Sequence, residues 1–130
     1  HGEILKMRSE RDSDLIYPVT GDINMGETAA DGCQLRPFIV WFEEPVPMME
    51  LAVPIALAAD IFVVVGTSLV VYPAAGLVHY TRPGIPVFVL DKKIPYFNNA
   101  GQVTSIEKPA TEGIAELMDH LLAITDQAQG

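Results

Sequence analysis

An α/β fold, with a parallel sheet flanked by helices, is predicted by three features of the 130-residue chain. Two runs, Asp60–Gly66 and Pro86–Leu90, are apolar at almost every consecutive position, as strands covered on both faces by helices must be. Segments suited to helices precede, separate and follow them, the order expected of a parallel sheet. The composition is 49% hydrophobic and only 19% charged, which is enough to build a core and argues against disorder of the whole chain.

Taken in order, residues 1–36 are polar, contain Gly21, Gly26 and Gly32, and lack a long apolar period. They read as the short strands and turns of a small subdomain. Phe38–Phe42 is a run of β-formers and reads as a buried strand. Pro47–Ala59 suits a helix with Pro47 in its first turn. Pro54 inside it removes a hydrogen bond at about 3 kcal/mol, so a kink or two short helices are expected. Asp60–Gly66 is expected as a central parallel strand, Pro73–Tyr80 as a short helix ended by Pro83-Gly84, and Pro86–Leu90 as a second buried strand reaching Asp91. Val103–Ile106 reads as a last short strand. Ala110–Ile124 has the clearest helical period: Ile114, Leu117, Met118, Leu121 and Leu122 share one face, and Thr111 is a candidate cap. The polar tail from Thr125 is expected to fray. The organisation is thus a small segment at 1–36, a sheet-and-helix portion at 37–124, and a tail at 125–130.

Charge and cysteine usage narrow the function. A net charge of −9 repels a phosphate backbone, so nucleic acid is not expected as a partner. The longest apolar stretch, Leu51–Val65, is broken by Pro54 and Asp60, so no membrane span is expected. Cys33, the only cysteine, can form neither an internal disulfide nor a four-thiolate zinc site, and fits a reducing, cytoplasmic location. His1, His79 and His120 are scattered, with no metal-ligand spacing, and no metal is expected. The sequence opens on His1-Gly2-Glu3 rather than Met, and is expected to continue a longer chain.

The strongest local signal for chemistry is Gly66-Thr67-Ser68-Leu69, directly after an apolar strand. Glycine admits close approach of a ligand to the backbone, and free N–H groups and hydroxyls can hold phosphate or ribose oxygens. An ordinary strand-to-helix turn with a capping hydroxyl remains the alternative. Asp91, at the end of the next strand, can accept from a ribose hydroxyl or can be a simple turn residue before Lys92-Lys93. No G-x-G-x-x-G occurs in the chain.

Together these segments resemble the C-terminal half of the sirtuins, the NAD-dependent protein deacylases. His1-Gly2-Glu3 resembles the family's H-G motif. Leu35–Pro47, reading LRPFIVWFEEPVP, resembles R-P-x-V-V-x-F-G-E-x-x-P, and Gly66–Ala75, reading GTSLVVYPAA, resembles G-T-S-L-x-V-x-P-A. The motifs occur in the family's order across nearly the whole chain. The resemblance implies a Rossmann-like NAD-binding portion preceded by a zinc-free small subdomain, as in some bacterial members. It also implies that nicotinamide and O-acyl-ADP-ribose are released from NAD and an acylated-lysine protein or peptide. His1 would be the general base, work suited to a group that titrates near neutral pH. The Val40 carbonyl would accept from the lysine Nε–H, Phe42 would line the acyl tunnel, and the Glu43 and Glu44 backbone would pair with the substrate as an added strand. Gly66, Thr67, Ser68, Asp91 and Ala110 would hold NAD.

Four departures accompany the resemblance. No stretch resembles the family's G-A-G-x-S phosphate turn or its N-I-D segment. Glu43 stands where the family has Gly, and would be strained if φ there is positive. Pro54 falls inside a helix. The zinc cysteines are absent, with Ser9 near the position of one of them. A non-catalytic nucleotide-binding or interaction domain is therefore the second reading, and an oxidoreductase without its glycine fingerprint the third. Exposed apolar edges are expected to make the chain self-associate.

Overall fold

A computed structural model describes residues 1–94 and 103–128. The chain forms two compact units, His1–Met48 and Met49–Gly130. The division expected after residue 36 falls inside the first of them.

The first unit is a three-stranded antiparallel sheet in the order β2-β1-β3, with β1 at Gly2–Ser9, β2 at Ile16–Pro18 and β3 at Leu35–Ile39. β1 pairs with β2 through Met7↔Tyr17, and with β3 through Arg8↔Arg36 at one end and Gly2↔Ile39 at the other. A register shift lies between Gly2 and Met7. The apolar run at Phe38–Phe42 is not one buried strand. β3 starts earlier, is half-buried throughout, and stops at Ile39; Trp41 and Phe42 lie in a turn and are exposed.

The second unit holds a parallel sheet in the order β4-β5-β6: β4 at Phe62–Val65, β5 at Val87–Asp91 and β6 at Val103–Glu107. β5 is the central strand of this sheet, and Val87–Leu90 are all buried. Among the described residues β4, expected in the centre, is the outer strand of this sheet, and its apolar residues are not covered on both faces: Val64 is buried while Val63 and Val65 are partly open. A run of valines fits a strand buried on either side equally well, so composition does not decide a strand's place in the sheet.

α1 runs without interruption over Met49–Ala58. Pro54 is its sixth residue and lacks the N–H that would bond the Glu50 carbonyl, and Pro47 lies outside the helix. The Arg82 guanidinium donates to the Ala59 carbonyl just past its end, at 3.2 Å, and to Asp60 at 2.5 Å. A 3-10 helix at Ala74–Tyr80 packs on α1.

α2 spans Ala110–Ala128 and packs on β5 and β6. Its buried side is Gly113, Leu117, Leu121 and Ile124, which meets Phe88, Leu90, Ile106 and Ile61. The expected face was rotated from this one: Ile114, Met118 and Leu122 are about half exposed. Gly113 explains the rotation. A Cβ there would lie 2.2 Å from Leu90 Cδ1, so the helix presses its one side-chain-free turn against the sheet. Thr111 is inside the first turn and is not the cap. Helical hydrogen bonding continues past Thr125, whose hydroxyl donates to the Leu122 carbonyl at 2.8 Å.

Candidate functional site

Each unit brings together one set of the predicted residues. In the first, the amide of Val40 donates to the carbonyl of His1 at 2.8 Å, so the candidate base lies opposite the start of the candidate substrate loop. Gly2 makes this possible. Its φ is +101°, and a Cβ there would sit 2.1 Å from the Phe38 carbonyl oxygen, so only glycine lets β1 and β3 close at this end. His1 is exposed.

The loop itself is a β-turn over Trp41-Phe42-Glu43-Glu44, with the Glu44 amide donating to the Trp41 carbonyl at 3.3 Å. Glu43, its third residue, has φ +70°, the left-handed region where a side chain costs about 1–2 kcal/mol. Positive φ in the third position is the demand of a type II turn, which glycine meets without strain. The strain expected for a side chain here is present.

Glu44 has a further structural task. Its carboxylate accepts from both Arg36 Nη atoms, at 2.5 and 3.0 Å, and from the Trp41 amide at 2.9 Å. The Arg36 guanidinium, followed by the Trp41 amide, holds the Glu44 carboxyl down at about 2. Arg36 also lies 6.0 Å from the centre of the Trp41 ring. A cavity of about 320 Å3 adjoins this turn, with Gly2, Phe38, Val40, Glu44, Pro45 and Pro47 in its wall. A larger one, about 1000 Å3, borders the loop at 19–25 and β3, and its wall includes neither His1 nor Val40. Phe42 is 88% exposed and open to a ligand's apolar stem.

In the second unit, Gly66, Asp91 and Ala110 lie at the carboxyl ends of three adjacent parallel strands, where sheets of this kind bind ligands. The Gly66 amide donates to the Leu90 carbonyl at 3.0 Å, which ties the loop to the central strand. Gly66 has φ +65° with open space where a Cβ would be, and Thr67 and Ser68 are exposed. The Thr67 hydroxyl accepts from the Leu69 amide at 3.2 Å. One Asp91 oxygen accepts from the Lys93 amide at 3.0 Å, so the turn-residue role is real, and the residue is half-buried at the end of β5. Ala110 opens α2. Open hydroxyls, a carboxylate and a glycine without obstruction form a donor set that fits the ribose and adenine parts of a dinucleotide.

The small unit is tied at its far end by Ser9. Its hydroxyl is fully buried, donates to Asp31 at 2.6 Å and accepts the amides of Arg11 and Asp12 at 3.1 Å each. Asp31 also accepts from the Cys33 amide at 3.0 Å. The Ser9 hydroxyl and the Cys33 amide hold the Asp31 carboxyl below its ordinary value. This donor set does not fit a zinc ion. Cys33 is a single thiol, and no cluster of three metal-ligating side chains occurs among the described residues.

Sequence reasoning missed Gly2 as a close-approach residue, Arg36 as the anchor of the turn, and Gly113. An isolated glycine inside a strongly periodic helix was the available signal for the last. The pairing of Arg36 with Glu44, eight residues apart across a strand end, leaves no local pattern.

The Sir2 family model matches residues 1–73. An NAD-dependent protein deacylase of Bacteroides thetaiotaomicron is 44% identical over 94% of this chain and 55% of its own length. One of Helicobacter pylori is 37% identical over 98% of the chain and 54% of its own length. The chain therefore spans about half the length of the curated relatives it matches. A mutant Sir2 homologue in complex with ADP-ribose has a TM-score of 0.76 at 26% identity, over 97% of this chain and 52% of that one. A Sir2 protein bound to a propionylated peptide has a TM-score of 0.71 at 24% identity, over 92% and 54%, and speaks to the fold alone. With more than half of its residues matched by the family model, and with the H-G, F-E-E-P and G-T-S-L segments at strand ends and turns as described, the chain belongs to the Sir2 family.

Proposed function

We propose that the protein is an NAD-dependent protein-lysine deacylase, and that this chain carries its general base, its peptide-receiving turn and its contacts to the adenosine side of NAD. The observation that carries this reading is the junction of His1 with Val40 at the head of the Trp41–Glu44 turn. The candidate proton acceptor and the candidate peptide turn are thereby joined at one sheet end. The names of the relatives, all NAD-dependent protein deacylases, support it.

In this reading an acylated lysine enters along the turn. The Val40 carbonyl accepts from its Nε–H, Phe42 covers the apolar stem, and the Glu43 and Glu44 backbone pairs with the peptide as an added strand. His1 accepts a proton from a ribose hydroxyl. Gly66, Thr67 and Ser68 hold ribose oxygens, Asp91 the adenosine ribose, and Ala110 leaves room for adenine. NAD, when bound, supplies the ribosyl carbon that the acyl oxygen attacks as nicotinamide leaves. No helix among the described residues is long and apolar enough to cross a membrane, and the single cysteine supports a reducing compartment, proposed as the cytoplasm. The acidic charge supports a protein substrate rather than nucleic acid.

The test is nicotinamide release from NAD in the presence of an acetyl-lysine peptide. Release is expected, with His1→Ala slowing it by about 10²–10⁴-fold. Nucleotide binding by calorimetry with no release on any acyl peptide would overturn the reading in favour of a non-catalytic nucleotide-binding domain.

A further inference from the structure

The Trp41–Glu44 turn holds a side chain where its geometry asks for none. Glu43 sits at φ +70° in the third position, and such a conformation persists only where its surroundings over-determine it. Those surroundings are visible. The Glu44 carboxylate reaches back to the amide of Trp41, the first residue of the same turn, at 2.9 Å. The Glu44 amide bonds the Trp41 carbonyl. The turn is therefore closed twice, once through the main chain and once through a side chain.

That side chain is itself fixed. Arg36, on β3 and only 16% exposed, donates to both Glu44 oxygens and lies beside the Trp41 ring. A guanidinium fork in this position determines the direction of the carboxylate as well as its charge. The pair also outlasts ordinary acidity, because the Glu44 carboxyl is held at about 2.

We propose that Arg36 and Glu44 are positioning residues: a clasp that holds the Trp41–Glu44 turn shut against the strain at Glu43, and so presets the Val40 carbonyl and the turn backbone for an acyl-lysine peptide. The proposal rests on the deacylase reading for its substrate, though not for the clasp itself. The two side chains bond each other and the Trp41 amide, and only the Glu44 backbone meets the peptide in that reading. Both act through the shape of the turn, so their loss falls on peptide affinity. Relaxing Glu43 makes the clasp dispensable.

The experiment compares Arg36→Ala, Arg36→Lys and Glu44→Gln, each with Glu43 and with Glu43→Gly. The readouts are steady-state kinetics with NAD and an acetyl-lysine peptide, and the emission of Trp41, the chain's only tryptophan. Arg36→Ala and Glu44→Gln are expected to raise the peptide KM about tenfold with kcat and the KM for NAD within about twofold, and Glu43→Gly is expected to recover most of that loss. Arg36→Lys keeps the charge without the fork and falls between. Trp41 emission moves to the red when the clasp is cut and returns with Glu43→Gly. A fall in kcat and in affinity for both substrates together, unrescued by Glu43→Gly, reduces the pair to a structural ion pair and overturns the proposal. Should Arg36→Ala not fold, Arg36→Lys and Glu44→Gln decide by the same criteria. If no variant, wild type included, turns over peptide, the deacylase reading falls. The emission change and its reversal then support the clasp alone, and their absence overturns it.

Discussion

Among the described residues of Met49–Gly130 the buried side chains are Val64, Val78, Val87, Phe88, Val89, Leu90, Ile106 and Leu117, with alanines between them. In His1–Met48 the buried side chains among the described residues are Ala29 and Ser9. The second unit is held by apolar area removed from water, which is strong in sum and indifferent to direction. The first is held by directed bonds: a serine hub at one end, an arginine-carboxylate pair at the other, and a glycine that lets two strands touch. A small unit with so little apolar burial has few other means of fixing its shape. The contrast also matches the chemistry. In the proposed reading the turn and the candidate base need exact directions, while the proposed nucleotide loops need only a rigid sheet beneath them.

The largest test of this contrast is in the dry core. Leu90→Ala is expected to cost about 4 kcal/mol in urea unfolding, because Leu90 is fully buried and touches the helix at Gly113. A cost below about 1.5 kcal/mol would mean that α2 can settle into the space, against the tight contact described. Next comes the closed strand end. Gly2→Ala places a Cβ on the Phe38 carbonyl and is expected to cost about 3 kcal/mol, seen most sharply as faster hydrogen exchange at the Val40 amide. Unchanged exchange there would separate His1 from the turn and remove the basis for its role.

Ser9→Ala is expected to cost about 2 kcal/mol, since it deletes a buried bond to a carboxylate and orphans two amides. The melt of the second unit should not change. If both units lose stability together, they do not unfold independently and the contrast collapses. The smallest effect is acid titration. Glu44 titrates at 4.5 when unpaired and about 2 in the fold, so its stabilisation is complete above 4.5 and is lost as pH falls toward 2. Asp31, lowered from 3.8, adds to the same loss in the same direction. The first unit should therefore loosen in acid before the second, and Glu44→Gln should flatten that dependence. In the second unit the Lys108–Glu116 pair is about half exposed on both sides and contributes little either way.

What the sequence made legible follows the same divide. Consecutive apolar residues gave β5 and the period of α2, because burial leaves its mark residue by residue. They misjudged β4 and the side of α2 that faces inward, since an edge strand and a Gly-lined helix face depend on neighbours that periodicity does not name. Pro54 was expected to kink or divide the helix, which runs on through it over Met49–Ala58. In the first unit, the turn residues and the importance of Glu43 were legible through motif and backbone chemistry. The bonds from Arg36 to Glu44 and from Ser9 to Asp31 were not, because side chains 8 and 22 positions apart share no local pattern. The candidates Gly66, Thr67, Ser68 and Asp91 were named from their place after apolar strands, a matter of topology that sequence order can supply, and Ala110 from the family resemblance alone.

The Ser9 knot has one more consequence, for how the chain acquires its shape. Every partner in that knot is made with the polypeptide: a hydroxyl, a carboxylate and two amides. Its formation is a unimolecular step, with a rate set by loop closure over 22 residues rather than by the concentration of any ion. A fastening of this kind closes at the same rate in dilute protein as in concentrated protein.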